Sequence, residues 1–392
     1  MATKKEIVMT ANSWGGIYQK LGVRPMINAT GNLTARGGST PSSAVRKAMQ
    51  EADSSYVEMS ELLEKAGQYV ATQLGVEAAY PTAGCYAALV LCSATVMTGN
   101  DPDKRSQLPD TTGLKHEIIL QKIQRYGYDR AYTIPGSKLT IVGNDNGCTE
   151  EQLERAIGPD TAAIAYLIQP NQGNAIPLEI VVEMAHAHDI PVIADAAAQI
   201  HPLDYFRRNA QSADLVCFGG KYFNAPHSTG LACGRKDLIQ AVIAHGFIGP
   251  RPIGRGMKVD RQEIIGLVTA IDIWMNMDHQ ERLRNQNKRY AVISEHLKFL
   301  DQVSTEIVCH KRHTLSDLHV TFDPETLGKN ARQIANALDA GSPRVCVEVD
   351  SDNTITINAY TLNQGEELLI AQALREQLSN ANSEIVIAPA LT

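Results

Sequence analysis

The sequence predicts an α/β protein: a large domain on a mostly parallel β-sheet, then a small α+β domain toward the C-terminal end. Three observations carry that prediction. Short, unbroken apolar runs recur through the middle of the chain, among them AAIAYLI (162–168), PVIADAA (191–197) and DLVCF (214–218). Helix-like segments separate them. Beyond about residue 250 the pattern changes to a long helical stretch followed by alternating strands and helices. Apolar runs without polar alternation are strands covered on both faces, and strands alternating with helices form parallel sheets. The expected organisation is an N-terminal arm over 1–30, a large domain over 31–250 and the small domain over 251–392.

Taken in order, residues 1–20 read as an arm or short helix. Helical spacing runs over 41–75, with Pro41 near one start and Ser60 ahead of another. The run 101–113, DPDKRSQLPDTTG, is polar and rich in Pro and Asp, and reads as a surface loop or as a loop over a site. HEIIL (116–120) and KLTIVG (138–143) are strand candidates. Glu150 to Ile157 is a helix, and Leu178 to Asp189 an amphipathic one. The three apolar runs quoted above supply the next strands. Residues 260–300 form one long helix or two, with Asp260 as a cap. Strands follow at 318–323, 345–349 and 354–360, with helices at 329–340 and 365–379.

Composition narrows the class. The chain has 392 residues, 44% hydrophobic and 20% charged, as in an ordinary globular enzyme. Net charge is −7, and no basic run offers a footprint for nucleic acid. The seven cysteines, at 85, 92, 148, 217, 233, 309 and 346, form no C-x-x-C pair, which predicts reduced, cytoplasmic usage and no zinc or other metal site. No leader-like apolar segment or membrane-length run occurs, so a membrane partner is not expected.

Four features carry chemistry. Lys221 follows Gly219-Gly220 at the end of the strand 214–218. In a parallel sheet, ligands gather at the carboxyl ends of strands. A lysine held and partly desolvated there is a candidate for Schiff-base formation, and a solvated turn lysine is the alternative. Asp195 ends the preceding strand. It reads as a helix cap or as the partner of a pyridinium nitrogen. Ala83-Gly84-Cys85 opens an apolar helix, and small residues at a helix start leave backbone N–H groups free for phosphate. Ser228-Thr229-Gly230 adds hydroxyls beyond the lysine. Singly each has a purely structural reading. Together they follow the order phosphate site, pyridine partner, Schiff-base lysine.

Several segments bear a resemblance to one family. They are YQKLGVRPMINATGNLTARGGSTPSSAVRKAM (18–49), YDRAYTIPGSKLTIVG (128–143), IPLEIVVEMAHAHDIPVIADAAAQIHP (176–202), ADLVCFGGKYFNAPHSTGLACGRKDLI (213–239) and IGRGMKVDRQEIIGLVTAI (253–271). The chain resembles the selenium-transferase-like branch of the aspartate-aminotransferase-like, fold-type-I enzymes that use pyridoxal 5'-phosphate. That resemblance implies the fold, the cofactor and a homo-oligomer built on dimers. It implies Lys221 as the Schiff-base and acid/base residue and Asp195 as the pyridine partner. Ala83, Gly84, Cys85, Ala197 and Thr229 would line the cofactor. His227 is a candidate acid/base group. Arg36, His201, Arg255 and Lys258 are candidates for an anionic substrate, and Arg344 for a carboxylate clasp. Two departures stand out. Phe218 takes a position where the family often has serine, and His227 one where it often has glutamine. Both are expected at the cofactor rim, marking a different substrate.

The expected reaction starts at the Cα–H of a small amino acid or amino sugar acid. Elimination to a keto acid and ammonia leads. Racemisation or epimerisation, or β-replacement, is the alternative, with a catalytically silent relative behind both. A Rossmann-type nicotinamide enzyme is disfavoured, because no G-x-G-x-x-G follows an early strand.

Overall fold

The computed structural model describes residues 16–310 and 314–379 and divides into two units. One holds Gly37–Met277 with Lys311–Leu315, and the other the chain up to Arg36, Asp278–His310 and Ser316 onward. Half of the arm expected over 1–30, residues 1–15, lies outside the described residues. Its visible part includes a short helix, Gly16–Lys20, and belongs to the smaller unit.

The large unit is built on seven strands: β1 (Ala78–Thr82), β2 (Glu117–Gln121), β3 (Lys138–Val142), β4 (Thr161–Leu167), β5 (Val192–Asp195), β6 (Leu215–Gly219) and β7 (Gly230–Gly234). Their order is β1-β7-β6-β5-β4-β2-β3. β7 alone runs antiparallel to its neighbours; the other pairings are parallel. The expected strands fall within a residue or two of these, whereas β1 and β7 escaped the sequence reading. Each is five residues long and carries Pro81 or two glycines, which dilutes the apolar signal.

Helices cover both faces. They are α1 (Ser43–Asp53), α2 (Met59–Leu74), α3 (Gly84–Thr98), α4 (Glu150–Ala156), α5 (Leu178–Ala187), α6 (Leu203–Ala210), α7 (Lys236–His245) and α8 (Arg261–Asn276). Ser42 caps α1 by accepting from the Val45 N–H, and Glu58 rather than Ser60 caps α2, accepting from the Ser60 N–H. Asp260 caps α8 in a reciprocal capping box with Glu263, as its sequence predicts. Residues 101–113 are partly helical: Asp101 caps Pro102–Gln107, and Arg105 Nη1 donates to the Ala244 carbonyl at 2.9 Å.

Strand parity sorts the core into two layers. Val192, Ala194, Val216 and Phe218 point into one, with Phe206 of α6 and Leu267 of α8. Ile193, Leu215 and Cys217 point into the other, with Ala88, Leu91 and Cys92 of α3. Alternate residues of a strand face opposite sides. Asp195 shares parity with Ile193 and pairs in register with Cys217, so its side chain emerges on the α3 side. Where the sequence reading starts the small domain at 251, the smaller unit takes up the chain again at Asp278. α8 buries Leu267, Ile271 and Trp274 against the large unit's core, and Trp274 Nε1 donates to the Ile200 carbonyl at 3.0 Å.

The smaller unit carries a four-stranded antiparallel sheet. Its strands are β8 (Val303–Cys309), β9 (Ser316–Phe322), β10 (Glu348–Ser351) and β11 (Thr354–Ile357), in the order β10-β11-β9-β8. Helices α9 (His279–Leu297), α10 (Ala331–Ala340) and α11 (Glu366–Leu378) bury Ile293, Ile334 and Ile370 in the core of this unit. The stretch expected over 260–300 is thus two helices, and they fall in different units.

Candidate active site

Asp195 organises the site. It is 4% exposed at the end of β5. The Ala197 N–H donates to Oδ1 at 3.0 Å and Cys85 Sγ to the same oxygen at 3.5 Å. The Tyr126 hydroxyl donates to Oδ2 at 2.5 Å. Burial pushes the Asp195 carboxyl up from its ordinary range, and these three donors oppose that. All of them are neutral. A buried carboxylate met only by neutral donors is suited to a cation, and a protonated pyridine nitrogen is one.

α3 begins in front of this carboxylate. Its N-cap is Ala83, which offers no capping side chain, so first-turn N–H groups are left without one. Gly84 adopts φ +87°, a conformation that suits glycine. β7 starts against the same turn. A Cβ on Gly230 would lie 2.4 Å from the Gly84 carbonyl carbon and 2.6 Å from the Cys85 nitrogen. An uncapped helix start of small residues beside a buried carboxylate matches phosphate at one end of a pyridine ring and the ring nitrogen at the other. The residues present therefore fit pyridoxal phosphate.

Lys221 sits in the 3₁₀ turn Gly220–Phe223 directly after β6, half-buried, with Nζ 5.2 Å from the Tyr222 ring centre. Burial lowers its pKa, partly opposed by the neighbouring Cys85. Burial likewise lowers the pKa of His227, followed by repulsion from Lys221, so its imidazole is neutral near pH 7. His227 packs on Gly38, where a Cβ would lie 1.9 Å from Nδ1. Cys85 thus interacts electrostatically with both Asp195 and Lys221, and Lys221 with His227.

The other expected residues differ in placement. Thr229 is buried, and its hydroxyl donates to the Pro226 carbonyl at 2.7 Å, closing the turn after Lys221. Ala197 bridges β5 and β6, its carbonyl accepting from the Gly219 N–H at 3.0 Å. His201 is buried, and its carbonyl accepts from the Thr314 hydroxyl. Arg255 and Lys258 are exposed, with Arg255 Nη1 3.3 Å from the Phe247 carbonyl. Arg36 lies exposed in the smaller unit. Arg344, there too, already pairs through two nitrogens with Asp339 at 2.9 and 3.1 Å, which occupies the proposed clasp.

Phe218 is a correction. It is fully buried on the layer opposite Asp195, 4.9 Å from the Phe206 ring in an edge-to-face contact. Parity forbids it the cofactor rim. Sequence reading also missed Tyr126 and Gly38, and named Gly230 only beside the hydroxyls of Ser228 and Thr229. Tyr126 lies five residues past the end of β2, at the same sheet edge as Asp195, and that position was the available signal. Among the described residues no cluster of His, Cys, Asp and Glu is arranged to hold a metal, and no helix is long and apolar enough to cross a membrane.

Residues 113–250 match the family described as aminotransferase class-V. The chain is 31% identical to a 5'-C-glycyluridine monooxygenase-decarboxylase of a Streptomyces species, over 84% of this chain and 83% of that protein. It is 28% identical to D-glucosaminate-6-phosphate ammonia lyase of Salmonella typhimurium, over 93% and 98%. A solved structure of such an ammonia-lyase superposes with a TM-score of 0.83 at 28% identity, covering 93% of this chain and 98% of that one. An L-seryl-tRNA(Sec) selenium transferase of Moorella thermoacetica is 24% identical, over 92% and 83%.

Proposed function

This chain belongs to the aminotransferase class-V family of fold-type-I, pyridoxal-phosphate enzymes, and from that premise we propose that it is an ammonia-lyase. Its substrate is an amino sugar acid or a small amino acid with a β-hydroxyl. The α-hydrogen and β-hydroxyl leave, and the product is a keto acid plus ammonia. The observation that carries this is Asp195, buried and held by neutral donors alone at the strand end next to Lys221. Likeness to an ammonia-lyase over nearly the whole chain favours elimination among the reactions this site can run.

Bound pyridoxal phosphate supplies the electron sink for charge developing at the substrate α-carbon. The chain does the rest. The first-turn N–H groups of Gly84 and Cys85 hold the phosphate, aided by the helix dipole. Asp195 holds a proton at the pyridine nitrogen. Lys221 would hold the cofactor through its amine, whose lowered pKa favours the neutral nucleophile. The same amine would move the substrate's α-proton. His227, neutral and beside Lys221, relays a proton toward the departing hydroxyl. Arg255, Lys258 and His201 are the proposed holders of the substrate's anionic groups. The same reading carries a homo-oligomer and a cytoplasmic location, the latter supported by seven cysteines that are all free thiols.

The Streptomyces relative favours a second reading, oxygen-dependent decarboxylation of a glycyl-bearing substrate. Incubation with D- and L-amino acids and 2-amino sugar acids in deuterated water separates the two. Ammonia and a keto acid, without oxygen uptake, are expected. Carbon dioxide with oxygen uptake supports the second reading, and deuterium at Cα without ammonia indicates racemisation. Lys221→Ala should lose both turnover and the roughly 410–430 nm absorbance of the bound cofactor. A variant that keeps them contradicts the lysine's role.

A further inference from the structure

We infer that Tyr126 controls the charge of the cofactor's pyridine nitrogen through its hydrogen bond to Asp195. The inference rests on the assignment of Asp195 as that nitrogen's partner. Of the three donors on the carboxylate, Tyr126 is the closest, at 2.5 Å on Oδ2. The Ala197 N–H and the Cys85 thiol share Oδ1 at 3.0 and 3.5 Å, and a thiol is a weak donor. Short O–H···O⁻ bonds are the strong ones. The phenol holds its own proton, because burial and then the nearby Tyr132 and Asp195 push its pKa far up. Toward Asp195, Tyr126 is therefore the donor.

One proton lies between Asp195 and the ring nitrogen. It sits on the nitrogen, leaving a carboxylate, or on the carboxyl, leaving a neutral ring. A donor to the carboxylate stabilises only the first arrangement. Without the Tyr126 hydroxyl the proton shifts toward Asp195, and the ring loses the positive charge that makes it an electron sink. Tyr126 touches the reaction through Asp195, so it is a positioning residue. Its effect falls on turnover and spares substrate affinity.

The test is the ¹⁵N chemical shift of the pyridine nitrogen in holoenzyme loaded with ¹⁵N-labelled pyridoxal phosphate. The parent enzyme should show a protonated nitrogen. Tyr126→Phe, which keeps the ring, should move the resonance toward the neutral position, and Asp195→Asn should move it at least as far. kcat should fall about 10- to 100-fold in Tyr126→Phe with KM little changed, the loss of one hydrogen bond to a charged group. Placing 3-fluorotyrosine at position 126 strengthens the donor, alters shape little, and should move the resonance the other way. That arm stands even if Tyr126→Phe folds poorly. A resonance that moves in Asp195→Asn but in neither Tyr126 variant overturns this inference alone. One that moves in none of them overturns the assignment of Asp195 as well.

Discussion

Gly230→Ala tests the cofactor cradle through a residue that carries no chemistry. The added Cβ would stand 2.4 Å from the Gly84 carbonyl carbon, 2.6 Å from the Cys85 nitrogen and 2.7 Å from the Phe218 oxygen. All three are backbone atoms, so no side chain can swing away. Ordinary contact begins near 3.4 Å, and relief requires the first turn of α3 or the start of β7 to move by about 1 Å. Overpacking of this kind costs about 1–3 kcal/mol of stability. The larger effect is on phosphate binding. A shift of that size takes an N–H out of the 2.7–3.2 Å range, and a hydrogen bond to a charged group contributes about 1.5–3 kcal/mol. The pyridoxal-phosphate Kd should therefore rise about 10- to 100-fold for each bond lost. Titration of apo-protein with the cofactor, followed by absorbance, gives the Kd, and circular dichroism reports whether the variant is folded. A folded variant with parental affinity would refute the placement of phosphate at this helix start.

Phe218→Ala should cost about 3–5 kcal/mol in denaturant unfolding while leaving cofactor affinity in place, because the ring fills core on the layer away from Asp195. A lost cofactor with intact stability would return Phe218 to the site. Gly38→Ala should push the His227 imidazole aside, its Cβ landing 1.9 Å from Nδ1, and should lower kcat as His227→Ala does while cofactor affinity holds; full activity in Gly38→Ala would show that His227's position is not needed. His245 is 1% exposed, with Nε2 2.8 Å from the Thr98 hydroxyl, and burial followed by Arg105 lowers its pKa from 6.5 to about 4. The unfolded chain takes up that proton first, so stability is full above pH 6.5 and falls as pH drops toward 4. The loss reaches about 3 kcal/mol at ~1.4 kcal/mol per pH unit. His245→Gln should flatten that limb of an unfolding-against-pH curve, and an unchanged limb would place the titration elsewhere.

Much of the site was legible because it depends on chain order and strand ends. Lys221 and Asp195 each end an apolar run, and an apolar run can be read from local composition alone. The capping box at Asp260 is equally local. Tyr126 was not legible, because its role depends on a side chain 69 positions away. Gly38 was missed, and the part Gly230 plays was not read, for the same reason: a glycine's value lies in what approaches it, here His227 and the start of α3. Phe218 was misread although parity was available. Asp195 pairs with Cys217, which places Phe218 on the other face, but that register is a property of the assembled sheet.

By itself the sequence determined the α/β class, the order of cofactor-binding elements and the residues that present a lysine and a carboxylate at one sheet edge. Those follow from periodicity and from covalent adjacency, which act over a few residues. Only the tertiary structure decided that α8 belongs to the large unit, that Arg344 is already paired with Asp339, and that the Asp195 carboxylate is met by neutral donors from the loop after β2 and the start of α3. Those facts depend on which distant atoms reach hydrogen-bonding or van der Waals distance. Such distances are set by packing the whole core, not by any local run of residues.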